Sequence, residues 1–141
     1  MATLNDMDGS FVKLREKGDN GRSQYNFYIK IAERLIPASD EVSAKLFAGK
    51  GNKIFKSPLS YIADASDIAV AKSDEDVLGS IMGEVKDILD YGREKFAMVS
   101  VGDIVVNVLL KEDIQVGDKV ALTIDQNALS VKDKELDIVL K

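Results

Sequence analysis

The chain has 141 residues, 45% of them hydrophobic and 30% charged, with a net charge of −5; that length suits one compact unit or two small barrels packed together and disfavours a two-domain enzyme. It holds no Cys and no His, which excludes disulfides, thiolate metal sites and a cysteine nucleophile, and removes the commonest general base near neutral pH. No run approaches the roughly 20 apolar residues of a membrane span and the start lacks a signal-peptide pattern, so a cytoplasmic protein with no direct membrane insertion is expected.

In chain order, "MATLNDMDGS" (1–10) reads as a disordered leader. It cannot be an EF-hand loop, since Gly9 at the sixth position would put Leu4 first and Arg15 twelfth. Residues 11–61 read as a strand-rich first half. Phe11 to Leu14, the turn-rich "KGDNGRS", and then Tyr25, Phe27, Ile29 and Ile31 on one parity predict a hairpin with a long loop. "VSAKLFAGKGNKIFKS" predicts a second hairpin around Gly49 to Asn52, with a short helix capped by Ser39 or Asp40 as the alternative.

Residues 62–141 read as a small OB-like barrel. Ile68 and Val70 predict a short strand, "KSDEDV" a polar connection, "SIMGEVKDILDYG" a strand bent at Gly83, and "KFAMVSVGDIVVNVLL" two strands turning at Val101-Gly102-Asp103. A helix from Asp87 to Phe96 is broken by Tyr91-Gly92. "QVGDKVALTIDQNALSV" predicts a closing hairpin, with Asp125-Gln126-Asn127 reversing the chain. "ADASDIAVAKS" echoes "IDQNALSVKD": an Asp, an apolar residue four on, and another two later. Such an echo implies two related barrels, or one motif used twice. The fold class is therefore mostly β, with one or two small barrels, the two strand-rich halves packed as a unit.

No motif carries catalysis. "AGKGNKIFKS" lacks the Gly-x4-Gly-Lys-Ser/Thr spacing of a phosphate loop, and no nucleophile elbow is present. Asp74, Glu75 and Asp76 alternate in direction on an extended chain and read as a solvated linker. No enzyme activity, cofactor or metal is expected. Lys50, Lys53 and Lys56, interleaved with Phe47 and Phe55, are the candidate contacts for an anion or a nucleic acid.

Residues 1–60 hold 10 Lys and Arg against 7 Asp and Glu, a balance of +3, while residues 61–141 hold 9 against 17, a balance of −8. The acidic total argues against nucleic acid as the partner, and the asymmetry suits a homodimer or another protein partner.

Three stretches carry a family resemblance: "SDIAV" (66–70), "IMGEVKDILDYGREKFAMVSVGD" (81–103) and "VGDKVALTIDQNALSV" (116–131). Residues 62–133 resemble a transport-associated OB (TOBE) domain, the accessory barrel at the C-terminal end of ATPase subunits in ABC importers. Gly83-Glu84-Val85, Gly92 and Gly117-Asp118-Lys119-Val120 match its pattern, whereas Asp64-Ala65-Ser66 stand where the family has Arg-Pro-Glu. The resemblance implies a regulatory or interaction domain that binds transporter subunits, peripheral to the inner membrane through them, or senses a small ligand. The alternatives are a free-standing carrier of molybdate-like oxyanions, whose usual Ser-Ala-Arg-Asn opening is missing here, a nucleic-acid-binding OB barrel, and a structural assembly protein.

Overall fold

The computed structural model describes residues 3–140. Strands β1 (Leu4–Lys17), β2 (Ser23–Ile31) and β3 (Arg34–Pro37) precede helix α1 (Asp40–Lys50), and β4 (Leu59–Asp64) and β5 (Ile68–Lys72) follow it. The chain continues through β6 (Ile81–Asp90), β7 (Lys95–Val101), β8 (Ile104–Leu109), β9 (Lys119–Ile124), β10 (Ser130–Asp133) and β11 (Ile138–Leu140). Short 3-10 turns occupy Gly51–Lys56, Ala65–Asp67 and Gln126–Ala128.

Two antiparallel sheets result, in the orders β11-β10-β4-β1-β2-β3 and β5-β9-β6-β7-β8. Apart from β11 the orders match one for one: β1, β2, β3 and β4 correspond to β6, β7, β8 and β9, and β10 takes in the first sheet the place β5 takes in the second. Each half therefore lends its last strand to the other. The segments echoed in the sequence are the crossing points, and on either side of them the chains pair antiparallel, Leu59–Ile62 with Ser130–Asp133 in the first sheet and Ile68–Lys72 with Val120–Ile124 in the second. At each crossing an Asp side chain accepts from the backbone N–H two residues on, Asp64 from Ser66 at 2.9 Å and Asp125 from Asn127 at 3.0 Å. These side-chain turns bend the chain out of one sheet and into the other.

Register extends the match to single residues. Gly9 lies opposite Leu59 and Gly83 opposite Val120, at equivalent positions in the two ladders. A Cβ on Gly9 would collide with the Lys30 carbonyl oxygen and the Tyr61 ring, and one on Gly83 would lie 2.5 Å from Val99 Cγ1 and 2.7 Å from the Ser100 carbonyl oxygen. Both glycines allow close approach between neighbouring strands.

Several expectations are corrected. The supposed leader is ordered from Leu4 as the start of β1, because Asn5 and Met7 point inward and Asp6 and Asp8 outward; Met1 and Ala2 lie outside the described residues. In place of the hairpin at Gly49 to Asn52 stands its alternative, helix α1 capped by Ser39, whose hydroxyl accepts from Val42 N–H at 3.2 Å; Gly51, at φ 59°, ends the helix and opens the 3-10 turn. β9 and β10 do not form a hairpin, since β10 crosses to pair with β4 and β11. A division at residues 61 and 62 does not separate the sheets, because residues 130–140 belong to the first. β6 slips register between Val85 and Asp87 rather than at Gly83, a one-residue bulge that steepens its twist.

One core runs through both halves, from Met7, Phe11, Ile29 and Leu46 to Val85, Val99, Val108 and Leu122. Tyr61 is fully buried and donates its hydroxyl to the Ser10 carbonyl oxygen at 2.7 Å; burial raises the phenol pKa. The β2–β3 turn is made by Ala32 and Glu33, both at positive φ (49° and 64°), a geometry usually given to Asn and Gly.

Candidate functional site

The structure does not gather the three candidate lysines. Lys50, at the end of α1, turns inward and puts its Nζ 2.7 Å from Asp133 Oδ2. Asp133 is fully buried, and its Oδ1 accepts from the N–H groups of Glu135 at 3.0 Å and Leu136 at 3.4 Å. The Lys50 ammonium against Oδ2, helped by these amides against the opposing effect of burial, holds the Asp133 carboxyl below the ordinary carboxylate range. Lys50 is thus neutralised within the fold, while Lys53 and Lys56 remain exposed on the 3-10 turn. Phe47 and Phe55 are equally committed: with Phe11 and Phe27 they form a four-ring cluster, Phe55 stacked on Phe11 at 5.4 Å and Phe47 edge-on to Phe27 at 5.3 Å.

In the second half, the connection equivalent to α1 and its 3-10 turn is the short segment Leu110–Asp118. Without a helix to fill it, that end carries an open groove of about 680 Å³ lined by Ile88, Gly92, Arg93, Lys95 and Leu110 to Gln115. One wall is the β6–β7 hairpin tip, closed by Tyr91 N–H donating to the Glu94 carbonyl oxygen at 2.9 Å and Gly92 N–H to Asp90 Oδ1 at 2.8 Å. Gly92, at φ 88°, supplies the left-handed turn.

The other wall leaves β8 as Leu110, whose N–H donates to the Lys95 carbonyl oxygen at 2.8 Å. It is fixed at its base by buried Ile114. Beyond it Asp118 Oδ2 accepts from Gln115 N–H at 2.8 Å, and Gly117 N–H donates to the Val85 carbonyl oxygen at 2.9 Å. The Gln115 amide first, then the Lys72 ammonium, hold the Asp118 carboxyl below its usual range.

Three cations line this groove. Lys95 is paired only loosely with Asp90, at 3.8 Å with both side chains more than half exposed. Arg93 and Lys111 have no carboxylate within ion-pair distance among the described residues. Glu112 and Asp113 lie on the same lining and leave the groove with a small positive excess. Sequence reading missed these residues because Arg93 and Lys111 are far apart in the chain and each is followed by an acidic residue. The available signal was the Tyr91-Gly92 break, which marks a hairpin tip. No group of three or more metal-ligating side chains occurs among the described residues, and no helix there is long and apolar enough to cross a membrane.

The fold is shared with a solved structure described as the cytoplasmic molybdate-binding protein ModG with molybdate bound. The match has a TM-score of 0.62 and 11% sequence identity, and covers 90% of this chain and 94% of that one. The likeness is one of fold, and it bears out the mostly β architecture of tandem OB-like units that the transport-associated OB resemblance implies. No family model and no curated protein matches the chain.

Proposed function

We propose that this chain is a non-catalytic binding domain that takes a small tetrahedral oxyanion of the molybdate class in the groove between Gly92–Lys95 and Leu110–Gln115. The observation that carries the reading is the pair Arg93 and Lys111, unpaired among the described residues, facing one groove beside Lys95. A guanidinium offers a planar fork of donors to an oxyanion and an ammonium adds a compact charge. The shared fold with a protein described as molybdate-binding supports the choice of ligand class. Because the groove is open and carries Glu112 and Asp113, water screens the attraction, so the expected affinity is modest and salt-sensitive.

Titration calorimetry with molybdate, tungstate and sulfate, against chloride at equal ionic strength, tests this. Heat from the oxyanions that disappears in the Arg93→Glu/Lys111→Glu variant supports the reading. No heat at millimolar anion, or heat unchanged in the variant, overturns it.

A second reading, an accessory domain that associates with transporter subunits or with itself, is favoured by Tyr91 and Val116, which are 69% and 60% exposed in the segments that form the groove walls. Exposed apolar side chains flanking a recess are what a protein partner covers. Sedimentation over a wide concentration range tests its self-association arm, and one species of monomer mass throughout would end that arm.

A further inference from the structure

We propose that the face of the β1–β2 hairpin carrying Lys13, Arg15, Lys17 and Tyr25 binds a single strand of nucleic acid, at a site separate from the groove of the second half. The hairpin outruns its sheet. β4 pairs with β1 only from Leu4 to Gly9, whereas β2 stays paired with it as far as Lys17 opposite Ser23. Ser10 to Lys17 therefore project about 25 Å beyond the β4 ladder at the usual rise per residue. The side chains on the Met7 and Phe11 parity pack into the core near the base of the hairpin, and past Phe11 the same face carries Lys13, Arg15 and Lys17, all exposed.

These cations are free. None has a carboxylate within ion-pair distance among the described residues, and the same holds for Arg22 at the tip and for Lys53 and Lys56 on the adjoining 3-10 turn. Opposite Lys13, Arg15 and Lys17 stand Phe27, Tyr25 and Ser23, so no carboxylate faces them across the ladder. Glu16, the acidic residue of this stretch of β1, lies on the other face, where it accepts from Asn26 Nδ2 at 2.8 Å and from the Tyr28 hydroxyl. Asp19, in the turn, is the one acidic residue at the tip. The acidic balance of the whole chain is thus absent from this surface, and long-range repulsion from the other half is screened beyond about 10 Å at 0.1 M salt.

The shape of the strip favours nucleic acid over an acidic protein. Alternate residues of a strand recur about every 6.7 Å, comparable to the step between phosphates of an extended single strand. An aromatic face stands beside the cations: Tyr25 is 56% exposed, and the Lys13 ammonium lies 5.1 Å from the centres of both the Tyr25 and Phe55 rings. A row of cations that tracks a backbone, next to a ring on which a base can stack, is the combination that single-strand binding uses. An acidic peptide would use the cations and leave the ring idle.

The test is fluorescence anisotropy of a short labelled deoxythymidine oligonucleotide at several salt concentrations, with poly-glutamate as competitor. If Lys13, Arg15, Lys17 and Arg22 each meet one phosphate, log K should fall with log salt at a slope of about −3. Arg15→Glu/Lys17→Glu should weaken binding at least tenfold, and Tyr25→Ala by roughly five- to a hundredfold. Both alter exposed positions, and circular dichroism checks that the variants remain folded. Arg93→Glu/Lys111→Glu should leave binding unchanged, which separates this site from the oxyanion groove. The proposal is overturned by no binding at low salt, by binding that survives reversal at Arg15 and Lys17, or by poly-glutamate competing as well as unlabelled oligonucleotide while Tyr25→Ala has no effect. The last outcome would assign the strip to acidic proteins.

Discussion

Asn5 on β1 and Asn107 on β8 exchange two hydrogen bonds across the two halves of the molecule: Asn5 Nδ2 donates to the Asn107 carbonyl oxygen, and Asn107 N–H donates to Asn5 Oδ1, each at 2.8 Å. The side-chain amide stands in for a neighbouring strand at the edge of the second sheet. Asn5 is only 4% exposed, so water cannot readily take its place.

Asn5→Ala should therefore cost about 2–3 kcal/mol, two hydrogen bonds with the Asn107 backbone left unsatisfied in a part-buried site. Urea unfolding should show a lower midpoint with an unchanged slope. A loss under about 0.5 kcal/mol would mean that water or another residue replaces the amide.

The Lys50–Asp133 pair predicts a pH dependence. The folded Asp133 pKa lies below its unfolded value of about 3.9, so the stabilisation is fully present above that value and is lost as pH falls through the folded pKa. Lys50→Met should cost about 3 kcal/mol at neutral pH, since it leaves a buried carboxylate without its cation. Lys50→Met/Asp133→Leu should cost less and should flatten the decline in stability below about pH 4. Thermal melts from pH 3 to pH 7 check both, and an equal acid response in wild type and double variant would contradict the assignment.

Gly9→Ala and Gly83→Ala should each destabilise by about 1–3 kcal/mol, because the added methyl meets backbone oxygen on the neighbouring strand. Gly21→Ala offers the contrast: its φ is 76°, but nothing lies within 4 Å of the added Cβ, so only backbone strain opposes it. Denaturation midpoints that rank Gly21→Ala with Gly9→Ala would show that crowding is not what selects glycine there.

In the groove, Arg93→Ala and Lys111→Ala should each weaken oxyanion binding about tenfold, or about 1.4 kcal/mol. Glu112→Gln should strengthen it by removing a repelling charge from the lining. Calorimetry at fixed ionic strength measures all three, and weaker binding in Glu112→Gln would place the anion elsewhere.

Much of the architecture was legible in local pattern. The period-two alternation of β2 and β7 is written in the sequence because each strand buries one face, whereas β9 buries Val120, Ala121 and Leu122 in succession. The Asp-led echo was visible because both crossings need the same side-chain turn. The helix capped by Ser39 stood only as the alternative to a hairpin because Gly49, Lys50 and Gly51 look like hairpin punctuation; Gly51 is in fact the glycine that ends α1, and packing of Val42 and Leu46 outweighs weak local propensity.

By itself the sequence determined a mostly β chain with a repeated crossing motif and a basic first half, since these depend on residue type and short-range periodicity. Only the tertiary structure decided which charges are free. Asp133 neutralises Lys50 across most of the chain length, whereas Arg93 and Lys111 come to share one groove through the pairing of β7 with β8. Strand exchange between the halves was equally hidden, because β10 would bury the same face against β9 or against β4, and the choice rests on non-local pairing that no local window contains.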